Sequence, residues 1–222
     1  MSLDWGVLAK EASRKSVHMA GFLIPVAYYF FLSRELLLIL LGAGVLGAGI
    51  LELIRLSGVP LFPKVLLRDH EKKGLVGGYF YALTSSFLAV LLFDKPVAVA
   101  AMLFLTLGDG ITGLAGAALT MLAGPKEADK RKYDTDGRTL PEELWYALTH
   151  PKSPILMAVM LVVCGAAGLA LYPSLSFEMI AAGAFGAMAA DAFPWRIFGL
   201  TVDDNLSIPL VSGCLMSLAA IV

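Results

Sequence analysis

An aspartate flanked by glycines lies inside a long apolar stretch of the chain, in the motif Gly108-Asp109-Gly110. An ionisable side chain is costly to keep in such a stretch, and in membrane proteins it marks a functional site by default. The structural alternative is a protonated Asp109 that makes an interhelical hydrogen bond, with the glycines allowing close helix packing. We expect the functional role. If the helix breaks here, an amide-lined helix start and the carboxylate would together suit a metal-bound phosphate.

Two adjacent carboxylates and an amide form a second acidic motif, Asp203-Asp204-Asn205. These side chains supply the hard oxygen ligands that Mg²⁺ takes while it also holds phosphate oxygens. The alternative is a helix N-cap and turn, for which Asp and Asn are well suited. Both roles are compatible, because one residue can cap the helix while another binds metal. Asp191 is a further acid in an apolar stretch, and we expect it to lie towards the same face.

Basic residues that could bind phosphate precede the first apolar stretch. Glu11, Arg14, Lys15 and His18 recur at spacings of three and four, so on a helix they would share one face. That face could present cations to an anionic headgroup or to a nucleotide phosphate. An ordinary basic membrane anchor is the alternative.

Three more charged motifs stand near apolar stretches. Glu52-x-x-Arg55 is either a local ion pair or part of a site. Arg68-x-x-Glu71 leads to Gly77-Gly78-Tyr79, where glycine would let the backbone approach a ligand closely. Gly137-Arg138-Thr139 combines a turn, a cation and a hydroxyl, which suits either a phosphate-binding loop or a solvated connector.

Apolar stretches of membrane-spanning length must position these residues. The chain of 222 residues is 58% hydrophobic and 16% charged, whereas about a quarter of the residues are charged in a typical soluble domain. We predict an all-α polytopic membrane bundle of about seven transmembrane helices, which forms a single integral membrane domain over residues 1–222. The fourth stretch is long, and we expect it to be tilted or broken at its glycines. The predicted spans are Val17–Ser33, Leu36–Ile54, Leu75–Phe93, Pro96–Gly124, Pro154–Tyr172, Leu175–Ile197 and Ser207–Val222.

The basic residues predict the orientation of the bundle. With seven spans, one side receives the N-terminus and the loops 55–74, 125–153 and 198–206. Together with Arg196, that side holds 15 of the 17 lysines and arginines, and Arg34 and Lys95 lie on the other. Because cytoplasmic loops carry the excess of Lys and Arg, the N-terminus is predicted to be cytoplasmic.

All of these motifs reach or open towards the predicted cytoplasmic face. Cations for phosphate, carboxylates for a divalent metal and a membrane setting together suggest a nucleotide-using enzyme with a lipid substrate. The net charge of −1 gives no reason to expect nucleic-acid binding.

In type and order, the motifs resemble those of the dolichol kinase, phytol kinase and CTP-dependent diacylglycerol kinase family of polytopic membrane enzymes. The resemblance runs through most of the chain, and its last motif is the most specific. It rests on Arg14-Lys15-x-x-His18, Glu52-x-x-Arg55, Arg68-x-x-Glu71 with Gly77-x-Tyr79, Gly108-Asp109, and Asp203-Asp204-Asn205-x-x-Ile208-Pro209.

The chain departs from the family pattern in two places. Where the family usually has Gly-Lys-Ser/Thr-x-Glu-Gly, this chain has Gly137-Arg138-Thr139-x-x-Glu142, with arginine for lysine and no final glycine. An arginine still binds phosphate, but as a planar fork rather than a point charge. Asp191 stands where a glutamate is common in the family.

The resemblance implies transfer of the γ-phosphoryl group of CTP to the hydroxyl of a membrane lipid alcohol, such as a polyprenol, dolichol or diacylglycerol. It implies that Mg²⁺ and the triphosphate are held by Asp203, Asp204 and Asn205. Asp109 would either join the metal or accept the proton of the lipid hydroxyl, with Asp204 as the other catalytic residue. The implied nucleotide-binding residues are Arg14, Lys15, His18, Arg55, Arg68, Glu71, Gly108, Arg138, Thr139 and Asn205.

Two other functions fit the same residues. A CTP-dependent cytidylyltransferase that makes a CDP-lipid would use the same metal and nucleotide. In a small transporter, Asp109 and Asp191 would relay protons or bind a cation. The sequence also leaves ATP open as the donor, and it does not identify the lipid.

Overall fold

The computed structural model describes residues 12–13, 15–16, 18–59, 75–123, 139–197 and 200–221. The described residues are mostly helical, which confirms the all-α class, and they include one short antiparallel β-hairpin. In chain order the elements are α1 (Leu23–Phe30), α2 (Arg34–Leu56), α3 (Gly78–Leu92), α4 (Lys95–Leu103), a π-helical segment (Phe104–Asp109), α5 (Gly110–Ala123), α6 (Leu140–Thr149), α7 (Pro154–Leu169), α8 (Phe177–Ala192), β1 (Arg196–Ile197), β2 (Leu200–Thr201) and α9 (Asp204–Ala219).

Two helices of the described part of the chain are long and apolar enough to cross a membrane. They are Arg34–Leu56 and the continuous helix Lys95–Leu122, and a third span is counted if α6 and α7, bent by 87° at their junction, form one broken span. The other predicted spans coincide with helices of 8 to 16 residues. The count of seven spans, the orientation and the single domain over residues 1–222 stay predictions.

The fourth predicted span is not broken at its glycines. The chain continues as one helix from Lys95 to Leu122, with π-helical turns over Phe104–Asp109. Such turns are uncommon and recur at functional sites. They place Asp109 at the end of the segment, with the Thr106 hydroxyl donating to the Met102 carbonyl oxygen at 2.9 Å one turn earlier.

The centre of the bundle is formed by α4 and by the pair α8–α9. Residues 97–102 of α4 are all buried. Small residues let α8 approach α9 closely: a Cβ on Gly183 would lie 2.5 Å from Met216 Cγ, and one on Gly186 would lie 2.9 Å from Leu215 Cδ1. This is the packing that small residues provide between membrane helices.

The outer surface of the bundle is apolar over most of its helices. Large apolar side chains that face outward include Leu46 (72% exposed), Val162 (70%) and Phe185 (57%). Soluble monomers rarely expose contiguous apolar surface of this kind, whereas lipid covers it without cost. The exterior therefore agrees with the membrane class that the composition predicts.

The polar contacts divide between the two ends of the bundle. At one end Arg34 donates to the carbonyl oxygens of Val90 and Leu91, at 3.1 and 2.7 Å, and so satisfies the C-terminus of α3. Asp109 lies fourteen residues along the helix from Lys95 at that end, which corresponds to roughly 20 Å. Arg34 and Lys95, the two cations predicted to lie apart from the others, are thus far from Asp109.

Candidate functional site

A buried carboxylate with a lysine and a histidine beside it lies at the end of the π-helical segment. Lys15 Nζ lies 2.6 Å from Asp109 Oδ2 and also donates to the Asp109 carbonyl oxygen at 3.1 Å. His18 Nε2 lies 3.3 Å from the same carboxylate oxygen. Because a buried carboxylate requires a counter-charge, Lys15 accounts for how Asp109 is tolerated in an apolar helix. The fold thus brings together three predicted site residues that are 91 and 94 positions apart in the sequence.

Glycines that follow Asp109 make room for this ion pair. A Cβ on Gly113, one turn after Asp109, would lie 2.8 Å from Lys15 Nζ and closer still to Lys15 Cε. A Cβ on Gly110 would lie 2.5 Å from Met19 Cγ. The close packing that the sequence suggested for these glycines is confirmed, and it serves the segment that carries Lys15.

A second ion pair joins the start of α7 to the end of α8. Lys152 Nζ donates to Asp191 Oδ1 at 2.7 Å and lies 4.0 Å from Asp204 Oδ2. The Lys152 backbone N–H also donates to the Ala192 carbonyl oxygen at 2.8 Å, so backbone and side chain are fixed to the same helix end. Asp191 therefore lies with the Asp203–Asn205 motif, as the sequence predicts.

Three acids from three different elements act on the Lys152 ammonium. Burial opposes its charged form, but Asp191, Asp204 and Asp109 outweigh that effect and raise the pKa of Lys152 above its ordinary value. Lys152 thus connects the Asp109 site electrostatically to the start of α9. We call the set of Lys15, His18, Asp109, Lys152, Asp191 and Asp204 the charged cluster.

The start of α9 confirms that one residue of the acidic motif caps the helix. Asp203 is the N-cap, and its Oδ1 accepts from the Asn205 backbone N–H at 2.9 Å and from the Asn205 side-chain Nδ2 at 2.8 Å. Asp204, the next residue, is directed to Lys152 instead. Asp203 therefore caps the helix, while its neighbour Asp204 belongs to the charged cluster. Aspartate is a preferred residue at an N-cap.

Asn205 carries a buried oxygen with unused hydrogen-bonding capacity. The residue is 2% exposed, and its backbone carbonyl oxygen accepts from Ser85 Oγ at 2.6 Å. Its side-chain Oδ1 has no hydrogen-bond partner among the described residues. A buried polar atom of this kind needs an explanation, and binding of an ion or a water molecule is a recognised one.

The described residues do not form an all-protein metal cage. No group of three or more His, Cys, Asp or Glu side chains in the described ranges could hold a metal ion, so Asp109, Asp203 and Asp204 do not converge as one ligand set. Mg²⁺, however, commonly uses one or two carboxylates together with substrate phosphates and water. Asp204 and the orphaned Asn205 oxygen fit that kind of site.

Glu52 and Arg55 form the local ion pair that the sequence offered as their structural role. The Glu52 carboxylate accepts from Arg55 Nε at 3.0 Å, from the Gly77 N–H at 2.8 Å and from the Tyr79 hydroxyl. Arg55 also donates to the Leu75 carbonyl oxygen. A side chain at position 77 would meet the Tyr79 ring and Glu52. These contacts within the protein explain the glycine, and no bound ligand is needed to account for it. A phosphate contact by Arg55 stays a prediction.

The remaining predicted site residues have other surroundings or lie outside the described residues. Gly108 packs against α7, where a Cβ would lie 2.7 Å from Cys164 Sγ. Thr139 is the N-cap of α6, and Glu142 accepts from its backbone N–H at 2.7 Å. The predictions for Arg14, Arg68, Glu71 and Arg138 lie outside the described residues.

Sequence reasoning missed Lys152 as a site residue, because it entered only as one of the cations that set the orientation. The available signal was its position directly before Ser153-Pro154, where an apolar helix begins. A cation at a helix start is unfavourable beside the helix dipole unless an acid compensates it.

Comparisons of the chain with protein-family models, curated protein sequences and solved structures find no match. The family resemblance therefore stays a prediction, and function has to be argued from the site.

Proposed function

We propose that this chain is a CTP-dependent lipid kinase that transfers the γ-phosphoryl group of CTP to the hydroxyl of a membrane lipid alcohol. In this proposal it is an integral membrane protein of about seven spans, with a cytoplasmic N-terminus and an active site on the cytoplasmic face. The observation that carries it is the charged cluster, in which acids from three elements surround lysines at one end of an apolar bundle.

Phosphoryl transfer suits such a cluster because its catalysis consists mainly of positioning and charge neutralisation. Lys15 and Lys152 are cations that a triphosphate could recruit from their carboxylate partners. Asp204 and Asn205, with Asp203 beside them, would hold Mg²⁺. When bound, Mg²⁺ supplies positive charge to the phosphate oxygens and orients them.

Asp109 is the proposed acceptor of the lipid hydroxyl proton. It pairs with Lys15 and His18 rather than joining the Asp203–Asn205 motif in one ligand set, which supports the proton-accepting role over the metal-binding one. Its place in a buried helix also suits a hydroxyl that arrives from the bilayer. General-base catalysis of this kind contributes typically about 10²- to 10⁴-fold in rate.

The proposal is tested by following the label from CTP into lipid. Purified protein in lipid bilayers with Mg²⁺ receives CTP labelled at the γ or the α phosphate, over a panel of lipid alcohols, with ATP as the comparison donor. We expect lipid that carries only the γ label. Asp109→Asn and Asp204→Asn should each lose about 10²-fold or more in rate, whereas Asp94→Asn, an exposed aspartate at the opposite end, should not.

The same assay separates the two alternatives. Lipid that carries the α label, formed from a phospholipid acid, would identify a cytidylyltransferase. A transporter would incorporate neither label, and its acids would act on cation or proton flux across sealed vesicles. Full activity in both Asp109→Asn and Asp204→Asn would contradict the site assignment.

A further inference from the structure

Helix α6 presents an apolar stripe away from the protein. Leu144, Trp145 and Leu148 lie at helical spacing on one side, and they are 39%, 70% and 55% exposed. The opposite side carries Glu143 and Ala147, which are buried. An amphipathic helix normally turns its apolar side inward. Within the described part of the chain this apolar stripe is left exposed, so it is a candidate surface for an external partner.

The direction of α6 indicates what that partner is. The helix ends at Thr149, and the chain then turns by 87° into the apolar helix α7. If α7 runs along the membrane normal, α6 lies close to the membrane plane. The first turn of α7 carries the exposed Ile155, so exposed apolar side chains occur on both sides of the bend.

The two β-strands carry further exposed apolar side chains beside α6. Strand β1 packs against α6, and Ile197 and Leu200, which pair across the two strands, are 48% and 74% exposed. A buried ion pair links the two elements, since Arg196 Nε lies 3.7 Å from Glu143 Oε1. We call Leu144, Trp145, Leu148, Ile197 and Leu200 the apolar face.

We propose that the apolar face binds the headgroup region of the bilayer, with α6 lying in the membrane surface as an interfacial helix. Tryptophan is enriched at this depth because its ring is apolar and its N–H is polar. Lys152, three residues beyond α6, has a side chain that is 33% exposed, and a lysine stem lies readily along such a boundary. An in-plane helix with one buried and one apolar side is typical of interfacial anchors.

Binding of the apolar face to the bilayer would fix the depth of the charged cluster relative to the lipid headgroups. The hairpin that α6 holds through Glu143 and Arg196 leads directly to Asp203 and Asp204. Lys152 follows α6 on its other side. Binding of the apolar face would therefore hold both ends of the cluster at the level of lipid headgroups. This bilayer contact is independent of the reaction that the charged cluster performs.

Fluorescence quenching tests the proposal in the full chain. The double variant Trp5→Phe/Trp195→Phe leaves Trp145 as the single tryptophan, and the protein is placed in lipid nanodiscs. We expect lipids brominated near the headgroup to remove about half or more of the emission, lipids brominated near the chain end to remove less, and aqueous iodide to remove little. The matched control, Trp5→Phe/Trp145→Phe, reports Trp195, whose indole donates to the Ala189 carbonyl oxygen inside the protein, and should respond less to the brominated lipids.

Two results would overturn the proposal. Strong iodide quenching without quenching by brominated lipids would place the stripe in water. Protection from both quenchers would place the stripe against protein, whether another segment of this chain, a second copy or another partner.

A second variant keeps the test independent of the tryptophan substitutions. A spin label on Leu148→Cys, in a Cys214→Ser background, should be more accessible to oxygen than to a water-soluble nickel chelate. The same label on Ser57→Cys, in the turn that ends α2, should show the reverse order. Equal accessibility to the nickel chelate at both positions would contradict an interfacial α6.

Discussion

The acids of the charged cluster are tolerated in an apolar setting because each of them lies beside a lysine. Lys15 compensates Asp109, and Lys152 compensates Asp191 with Asp204 close by. Removing one member of a buried pair costs typically about 3–5 kcal/mol, whereas replacing both by apolar groups is often neutral. This asymmetry allows structural and catalytic roles to be separated by experiment.

Lys15→Met should lower the free energy of unfolding by about 3–5 kcal/mol, because it leaves Asp109 buried without its counter-charge. The double variant Lys15→Met/Asp109→Leu should recover most of that loss while remaining inactive. Thermal unfolding in detergent and the γ-label assay measure the two effects. A double variant as unstable as Lys15→Met would show that the pair is not the source of the stability.

Lys152→Gln should destabilise the protein by about 1–3 kcal/mol, less than a fully buried pair would, because a third of the lysine side chain is exposed. Lys152→Arg keeps the charge and should lose less. In a double-mutant cycle with Asp191→Asn, the coupling should account for most of the effect. Additive losses of stability in the two single variants would contradict a stabilising interaction between Lys152 and Asp191.

The contribution of Lys152 to the free energy of unfolding should fall as pH rises into the alkaline range. The pKa of Lys152 is raised in the folded protein, so its stabilisation is fully present below the unfolded-state pKa of about 10.4 and is lost as pH rises through the folded value. The stability difference between wild type and Lys152→Gln should be constant from about pH 6 to 10 and should shrink above that. A difference that already shrinks near neutral pH would contradict the raised pKa.

At the scale of elements, one helix face carries both a packing and a chemical requirement. The helix Lys95–Leu122 is π-helical where it presents Asp109, and one turn later Gly113 leaves room for the Lys15 side chain. Neither feature would be needed by a helix that only crossed the membrane. The local geometry of this helix and its glycine spacing therefore belong to the site.

Gly113→Ala should displace Lys15 from Asp109, since the added Cβ would lie 2.8 Å from Lys15 Nζ. We expect a loss of about 1–3 kcal/mol in stability, the usual cost of overpacking, together with a fall in the γ-label rate. Gly47→Ala in α2 is the matched control, because a Cβ there meets nothing within 4 Å. It should be neutral or stabilise by up to about 1 kcal/mol through helix propensity. Equal effects of the two substitutions on stability and on the γ-label rate would contradict a role of Gly113 in making room for Lys15.

At the scale of the whole molecule, the bundle has a chemically distinct end. Arg34 and Lys95 satisfy helix-end carbonyl groups at one end, whereas the acids and lysines of the charged cluster meet at the other. Most lysines and arginines of the sequence are predicted to lie on the side of the charged cluster, and this excess predicts that the cluster end is cytoplasmic.

Cysteine labelling in intact cells tests that orientation. In a Cys214→Ser background, Asp94→Cys should react with a membrane-impermeant thiol reagent from outside, because Asp94 is exposed at the Arg34 end. Ser57→Cys should react only after permeabilisation. The opposite pattern would invert the topology and place the proposed nucleotide site outside the cell.

The sequence alone determined the helical class and the apolar, membrane-type composition, and it singled out the acids that the fold places in the charged cluster. These follow from the length of apolar stretches and from the cost of a charge within them. It also offered an ion pair as one of two roles for Glu52 and Arg55, because they lie one helical turn apart. Only the tertiary structure decided that Asp109 pairs with Lys15, and that Lys152 joins Asp191 and Asp204. Local spacing fixes the face of a helix on which a residue lies, but the rotation and packing of helices distant in sequence decide which faces meet.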